Sequence, residues 1–235
     1  MSIVHAVKFF SFNSIFAGYG DTNVLKGISA SLGQGEVLGI LGRNGVGKST
    51  LLKALTGVVR PTSGVISVSG KDVTSIAPNR RRAVGISYAP QERVVFDGLT
   101  VADNLALPFS RRGSTPYKDM LADFPRLSER AQQLAGKLSG GEKKILSFVR
   151  VISERSPITL IDEPSEGVAQ ENLERMARII RDRAADGASF VIVEQNLDFL
   201  MSVADRYLGL DHGEVVLESI EQATTKAELE SVLSV

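Results

Sequence analysis

Residues 42 to 50 read GRNGVGKST, a match to G-x-x-x-x-G-K-[ST]. The bare pattern arises by accident in roughly one chain per hundred of this length. Its surroundings make accident a poor explanation. Glu36 to Leu41 (EVLGIL), directly before it, is a short apolar run with the character of a buried strand. Lys48 to Thr56, directly after it, reads as a helix closed by Gly57, the residue type favoured beyond a helix C-terminus. A strand that turns through glycines into a helix presents inward-pointing N–H groups backed by the helix's positive end, which is an anion cradle. Gly42, Gly45 and Gly47 allow the curl. Lys48 brings a point charge for β- and γ-phosphates, and the Ser49 hydroxyl is a candidate Mg²⁺ ligand. The whole segment, Arg43, Asn44, Val46 and Thr50 included, is therefore the candidate nucleotide-binding loop.

A phosphate loop is shared by kinases, GTPases and ATPases, so other stretches must discriminate. ITLIDEPSEG (158 to 167) is a second buried strand, ending in two carboxylates. Asp162, at its C-terminal mouth, is placed to hold Mg²⁺ through water. Glu163 points elsewhere and is the candidate base for an attacking water. LSGGE (138 to 142) is the sharper signal. Ser139 and Glu142 have the spacing of a capping box for a helix starting at Gly140. Capping alone does not call for Gly140 and Gly141, which weaken a helix by up to ~1 kcal/mol each. Their presence favours an anion site. No guanine-reading N-K-x-D stretch occurs, which argues against a GTPase.

Elsewhere the chain alternates buried strands and amphipathic helices. Phe10, Phe12 and Phe16 suggest early strands, and Val65 to Val68 another. Residues 101 to 136 form a polar helical lobe broken by Pro108, Gly113, Pro116 and Pro125. A helix is expected over 142–154, an amphipathic helix from Leu173 to Ala184, a strand over 189–193 and a hairpin across Asp211-His212-Gly213. Such alternation implies an α/β fold with a mostly parallel sheet covered on both faces. The 27 basic residues equal the 27 acidic ones, so no global basic field attracts nucleic acid. No cysteine is present, which removes disulfides and thiolate metal sites. No apolar stretch reaches membrane-helix length, and no signal peptide is read at the N-terminus.

In combination and in order, Tyr19, GRNGVGKST, YAPQ (88 to 91), LSGGE, IDEPSEG and the segment 189–196 resemble the ATP-binding subunits of ABC transporters. The resemblance covers nearly the whole chain. It implies one ABC ATPase domain over 1–235, with a P-loop NTPase-type mostly parallel core, an N-terminal antiparallel β subdomain and an inserted helical subdomain. The core would occupy about 1–90 and 155–235, and the helical subdomain about 92–154. The resemblance further implies that Tyr19 stacks on adenine and that Gln91 touches Mg²⁺ and the attacking water. Ser139, Gly140 and Gly141 would bind the γ-phosphate of ATP held by a second subunit. The expected cofactors are ATP and Mg²⁺. The expected partners are a like or similar ATPase subunit in a homodimer or heterodimer, membrane permease subunits and, indirectly, a periplasmic substrate-binding protein. No nucleic-acid partner is expected, and the location implied is peripheral, at the cytoplasmic membrane face.

Three positions depart from the general family pattern: Glu142 for glutamine, Ala169 for aspartate, and Gln195 for the switch histidine. The last two, with SEGVA, VEQN and FPRLSERAQQLAGKLSGG (124 to 141), resemble one branch: importers of branched-chain or hydrophobic amino acids and their amide and urea relatives. Gln195 can donate and accept hydrogen bonds but cannot take a proton. It is expected to be a neutral γ-phosphate sensor, with Lys48 and Glu163 completing the catalytic set. A soluble ABC ATPase acting on nucleic acid or ribosomes is the alternative, disfavoured by the single cassette and zero net charge. The segment between Asn104 and Phe124 is shorter than usual for the branch. Arg111 and Arg112 read as a solvated face, and 221–235 as a plain surface helix.

Overall fold

The computed structural model describes residues 9–92, 94–109, 116–220 and 224–234. Arg111 and Arg112 lie outside them. The first sheet is antiparallel and built from β1 (Phe10–Tyr19), β2 (Thr22–Leu32), β4 (Ser63–Val68) and β5 (Lys71–Asp72), in the order β2-β1-β4-β5. Phe10 and Phe12 are buried, as their spacing suggests, but Phe16 lies only half-buried. The ladder shifts register between Phe12 and Ile15, where Ser14 adopts a φ of 48°. One extra residue at a bulge reverses which side chains face inward. Ile15 and Ala17 therefore take the core positions.

The second sheet has the order β10-β9-β3-β8-β7-β6. Its strands are β3 (Val37–Leu41), β6 (Ile86–Ala89), β7 (Ile158–Asp162), β8 (Ser189–Val193), β9 (Arg206–Asp211) and β10 (Glu214–Ile220). The first five run parallel, and β10 returns antiparallel through the expected turn at His212 and Gly213. Both faces are covered, and the period of two sorts the side chains between two cores. Leu38, Ile40, Leu160, Val191 and Val193 point into a core shared with the antiparallel sheet and α1 (Lys48–Leu55). Val37, Leu41, Ile161, Phe190 and Ile192 point the other way. That second core is closed by helices: α2 (Val101–Ala106), α4 (Pro125–Glu129), α5 (Gly140–Ser153), α6 (Gln170–Ala185), α7 (Leu197–Val203) and α8 (Lys226–Ser234). Each fully buried leucine, isoleucine or valine contributes roughly 1.5–3 kcal/mol.

The expected lobe over 101–136 resolves into short pieces, α2, α3 (Tyr117–Met120) and α4, among turns. Asn104 pins its start: wholly buried, it accepts from the Phe96 N–H at 2.8 Å and donates to the Phe96 and Thr100 carbonyls. The C-terminal segment is a helix but not a plain surface one. Leu229 and Val232 of α8 are buried, and α8 packs on β9, where Gly209 makes room for Val232. Among the described residues no helix is long and apolar enough to cross a membrane.

Gly39 in β3 lies against α7: a Cβ there would come within 2.9 Å of Leu200 and 3.0 Å of Ala204. Gly39→Val adds a residue that suits strands yet overpacks this contact. It is expected to lower stability by roughly 1–3 kcal/mol in urea denaturation. An unchanged midpoint would mean that α7 sits loosely on the sheet.

Candidate functional site

The parallel register sets the site. Ile40 pairs with Val193, Asp162 with Val193, and Ala89 with Ile161, so β3, β8, β7 and β6 all end at one level. The phosphate loop follows β3, Glu163 follows β7, Gln195 follows β8 and Gln91 follows β6. Cross-strand bonds continue past the strand ends: the Glu163 N–H donates to the Val193 carbonyl at 2.9 Å, and the Glu194 N–H to the Ile40 carbonyl at 3.0 Å. Sequence-distant side chains thus meet in one place, the carboxyl edge where sheets of this kind hold ligands.

Gly42, Gly45 and Gly47 have φ of 152°, 84° and 113°, the curl expected of a phosphate cradle. Space beside Gly45 is open. Arg43, Asn44, Gly45 and Val46 line a 340 Å³ cleft together with Asp211 and His212 from the β9–β10 turn. Lys48 is buried, and its Nζ donates to the Gly42 and Arg43 carbonyls at 2.7 and 2.8 Å, 3.9 Å from Glu163 Oε1. Burial pulls its pKa down, and Glu163, Asp162 and Glu194 oppose that pull. Thr50 is buried in α1. Tyr19 is half exposed at the end of β1, available for stacking.

Ser49 Oγ donates to Asp162 Oδ1 at 3.2 Å, and the Tyr88 hydroxyl to Asp162 Oδ2 at 3.3 Å. Burial raises the Asp162 pKa, Glu163 adds to it, and the two hydroxyl bonds work against it. Tyr88 is itself pushed up, by burial first and then by Asp162. A hydroxyl beside a desolvated carboxylate is a hard-oxygen pair. It suits Mg²⁺, which takes one or two protein oxygens and fills its shell with water and phosphate. Among the described residues no group of three or more His, Cys, Asp or Glu could hold a metal ion.

Glu163 is the hub. Its backbone has φ 46°, a left-handed conformation that costs a non-glycine residue on the order of 1–3 kcal/mol. The carboxylate accepts from Gln91 Nε2 at 2.5 Å on one oxygen and from Gln195 Nε2 at 2.8 Å on the other. Gln195 Nε2 also reaches Asn44 Oδ1 at 2.8 Å, tying the end of β8 to the phosphate loop.

Ser139, Gly140 and Gly141 stand apart from this cluster, at the start of α5. The capping box is complete: the Ser139 N–H donates to Glu142 at 2.9 Å and the Glu142 N–H to Ser139 Oγ at 3.3 Å. Arg130 reaches the same carboxylate at 3.1 Å. Burial pushes the Glu142 pKa up, but the Ser139 bonds, Arg130 and Arg126 outweigh it and hold it low. The negative charge that Glu142 brings in place of glutamine is thus locally matched. Gly141 also has a packing reason: a Cβ would come within 2.2 Å of the Gly167 carbonyl. Gly140 has open space. Ser139, Gly141 and Glu142 line a 370 Å³ cleft with Arg126, Gly167 to Ala169 and Arg175, sharing no residue with the phosphate-loop cleft.

Sequence reasoning passed over Tyr88, Lys144 and Glu194. Glu194 is wholly buried and accepts from the backbone N–H groups of Ser165, Gln195 and Asn196 at 2.7 to 3.0 Å. It staples the loop after Glu163 to the end of β8. Its position in an apolar strand, directly before Gln195, was the available signal.

A strand–loop–helix phosphate cradle, an acid pair on the neighbouring strand and a separate glycine-rich helix start define an ATPase of the ABC type. Residues 25–166 match the family model described as ABC transporter, and the chain belongs to that family. It is 34% identical over 211 residues to the high-affinity branched-chain amino acid transport ATP-binding protein BraG of Pseudomonas aeruginosa, covering 88% of this chain and 91% of that protein. It is 30% identical over 210 residues to the methionine import ATP-binding protein MetN of Brucella abortus, spanning 85% of this chain but only 56% of MetN. Among solved structures, a nucleotide-free ATP-binding cassette from an ABC transporter superposes with a TM-score of 0.79 at 26% identity, covering 97% of this chain and 96% of that one. The ADP conformation of another such cassette gives 0.77 at 26% identity, covering 97% and 95%. The chain is thus an ATP-binding and ATP-hydrolysing cassette.

Burial raises the Glu194 pKa above 4.5 despite its hydrogen bonds. With the folded value above the unfolded one, the stabilising contribution is full below about pH 4.5 and is lost as pH rises through the folded pKa. Glu194→Gln lacks this titration. Melting of both proteins should show the wild type losing ground to the variant between pH 4.5 and 7, whatever their offset. A constant difference across that range contradicts the shift.

Proposed function

We propose that this chain is the energy-coupling ATPase of an importer for branched-chain or hydrophobic amino acids, or for related amides or urea. What supports the substrate class is the likeness to BraG across nearly the full length of both chains. What carries the catalytic reading is the Glu163 carboxylate, held between two amides at the end of β7 and 3.9 Å from Lys48.

In this reading, Lys48 and the 42–50 backbone hold the triphosphate, and Tyr19 takes the adenine. Ser49 and Asp162 hold Mg²⁺, with Gln91 beside it. When bound, Mg²⁺ supplies positive charge to the phosphate oxygens. Glu163 orients the attacking water and takes its proton, and Gln195 holds Glu163 and reports on the γ-phosphate. Most of the acceleration then comes from positioning and charge stabilisation. Ser139 and Gly141 line a cleft of their own, with Gly140 between them in the chain, so the three would serve the ATP of a second cassette, like or similar, in a head-to-tail dimer. Residues of about 92–154 would act as the lobe that docks membrane permease subunits at the cytoplasmic face. A periplasmic binding protein would then contribute indirectly.

Glu163→Gln is expected to keep ATP binding, cut turnover by on the order of 100-fold or more and accumulate an ATP-bound dimer by size-exclusion chromatography. Turnover at the wild-type rate would remove Glu163 as the base. Gln195→Ala should slow steady-state hydrolysis by roughly tenfold or more, from lost positioning. Undiminished hydrolysis would reduce Gln195 to a polar strand end.

A further inference from the structure

We propose that Lys144 is a positioning residue for hydrolysis, setting the orientation of Glu163 from the first turns of α5. This rests on the reading of Glu163 as the base. Lys144 is largely buried, its side chain 11% exposed. Its Nζ donates to the Glu163 carbonyl at 3.0 Å and to the Gln91 carbonyl at 3.2 Å, and lies 3.6 Å from the Glu166 carboxylate. One ammonium therefore joins three segments that the sequence keeps far apart: the loop after β6, the loop after β7 and the helix that begins at Gly140.

The bond to the Glu163 carbonyl matters because of that residue's backbone. A left-handed glutamate persists only where its surroundings over-determine it. Three restraints do so. The N–H is held by Val193, the carboxylate by Gln91 and Gln195, and the carbonyl by Lys144. Removing the last frees the carbonyl side of a strained residue, and the backbone that carries the carboxylate is then held by two restraints in place of three. Lys144 also holds the backbone of Gln91, whose side chain bonds Glu163 directly. The two residues form a closed loop of contacts with Lys144 at its base. Arg150, further along α5, grips the same segment through the Val94 carbonyl at 2.8 Å and lies over the Phe96 ring. The placement of α5 is thereby read out at the carboxylate.

The test uses the full chain with Mg²⁺ and ATP. Lys144→Met keeps the length and apolar stem but removes the donors. It is expected to lower kcat about tenfold or more, with the KM for ATP within about twofold of wild type because the phosphate loop is untouched. Lys144→Arg, which keeps charge and donors, should recover most of that loss and covers the case in which the methionine variant folds poorly. In a Glu163→Gln background, Lys144→Met should add little further loss, since Lys144 acts through Glu163. Wild-type kcat in Lys144→Met, an arginine variant as slow as the methionine one, or losses that multiply fully in the double variant would each overturn the proposal. Wild-type turnover in Glu163→Gln would remove the reading of Glu163 and this proposal together. A silent Lys144→Met beside an inactive Glu163→Gln removes only the role of Lys144.

Discussion

Four buried parallel strands ending at one level are the constraint on which the rest depends. The hydrogen bond from the Glu163 N–H to the Val193 carbonyl is its last rung. It holds the residue after β7 against the residue before Glu194, so Glu163 and Gln195 come within bonding distance although 32 residues separate them. The same level places Ser49 against Asp162 across 113 residues. None of these contacts is local. Each exists because β3, β7 and β8 are neighbours in register, each buried on both faces.

Burial at that edge creates an electrostatic tension. Lys48, Asp162, Glu163 and Glu194 are all nearly removed from water. Asp162 and Glu194 are pushed toward their neutral forms, and Lys48 is pulled toward its own. The chain relieves this with dipoles: three backbone N–H groups on Glu194, two hydroxyls on Asp162 and two carbonyls on the Lys48 ammonium. A site held this way is preorganised, since donors and acceptors already point where charge must be managed. The strained backbone of Glu163 belongs to the same economy. Its cost is borne by the surrounding core, which buries leucine, isoleucine and valine on both faces of the sheet.

Helix α5 joins the two halves of the chemistry. At its start, Ser139 and Gly141 line a cleft separate from the phosphate loop. Its second turn carries Lys144 into the hub, and Arg150 holds the segment after Gln91. Gly141 lets the helix start press against the Gly167 carbonyl in the loop beyond Glu163. Helix α5 therefore touches both its own cleft and the Glu163 hub.

Local chemistry made much of this legible. The phosphate loop declared itself because glycine, lysine and a hydroxyl are needed at fixed spacing after a strand. Ser139 and Glu142 declared a helix start because a capping box joins residues only three positions apart in the chain. The parallel sheet followed from continuous apolar runs. Phe16 lies in a strand as read, but its half-buried place follows from a bulge at Ser14, which no alternation rule reveals. Residues 221–235 were misread because the partner of Leu229 and Val232 is β9, distant in sequence. The sequence by itself determined which residues are chemically able to hold a nucleotide and hydrolyse it. Only the tertiary structure decided that Glu163 is gripped by Gln91 and Gln195, that Glu194 staples two loops and that Lys144 anchors a strained peptide. The reason is physical: residue type and spacing set what a side chain can do, whereas its partners are chosen by strand register and helix packing across more than a hundred residues.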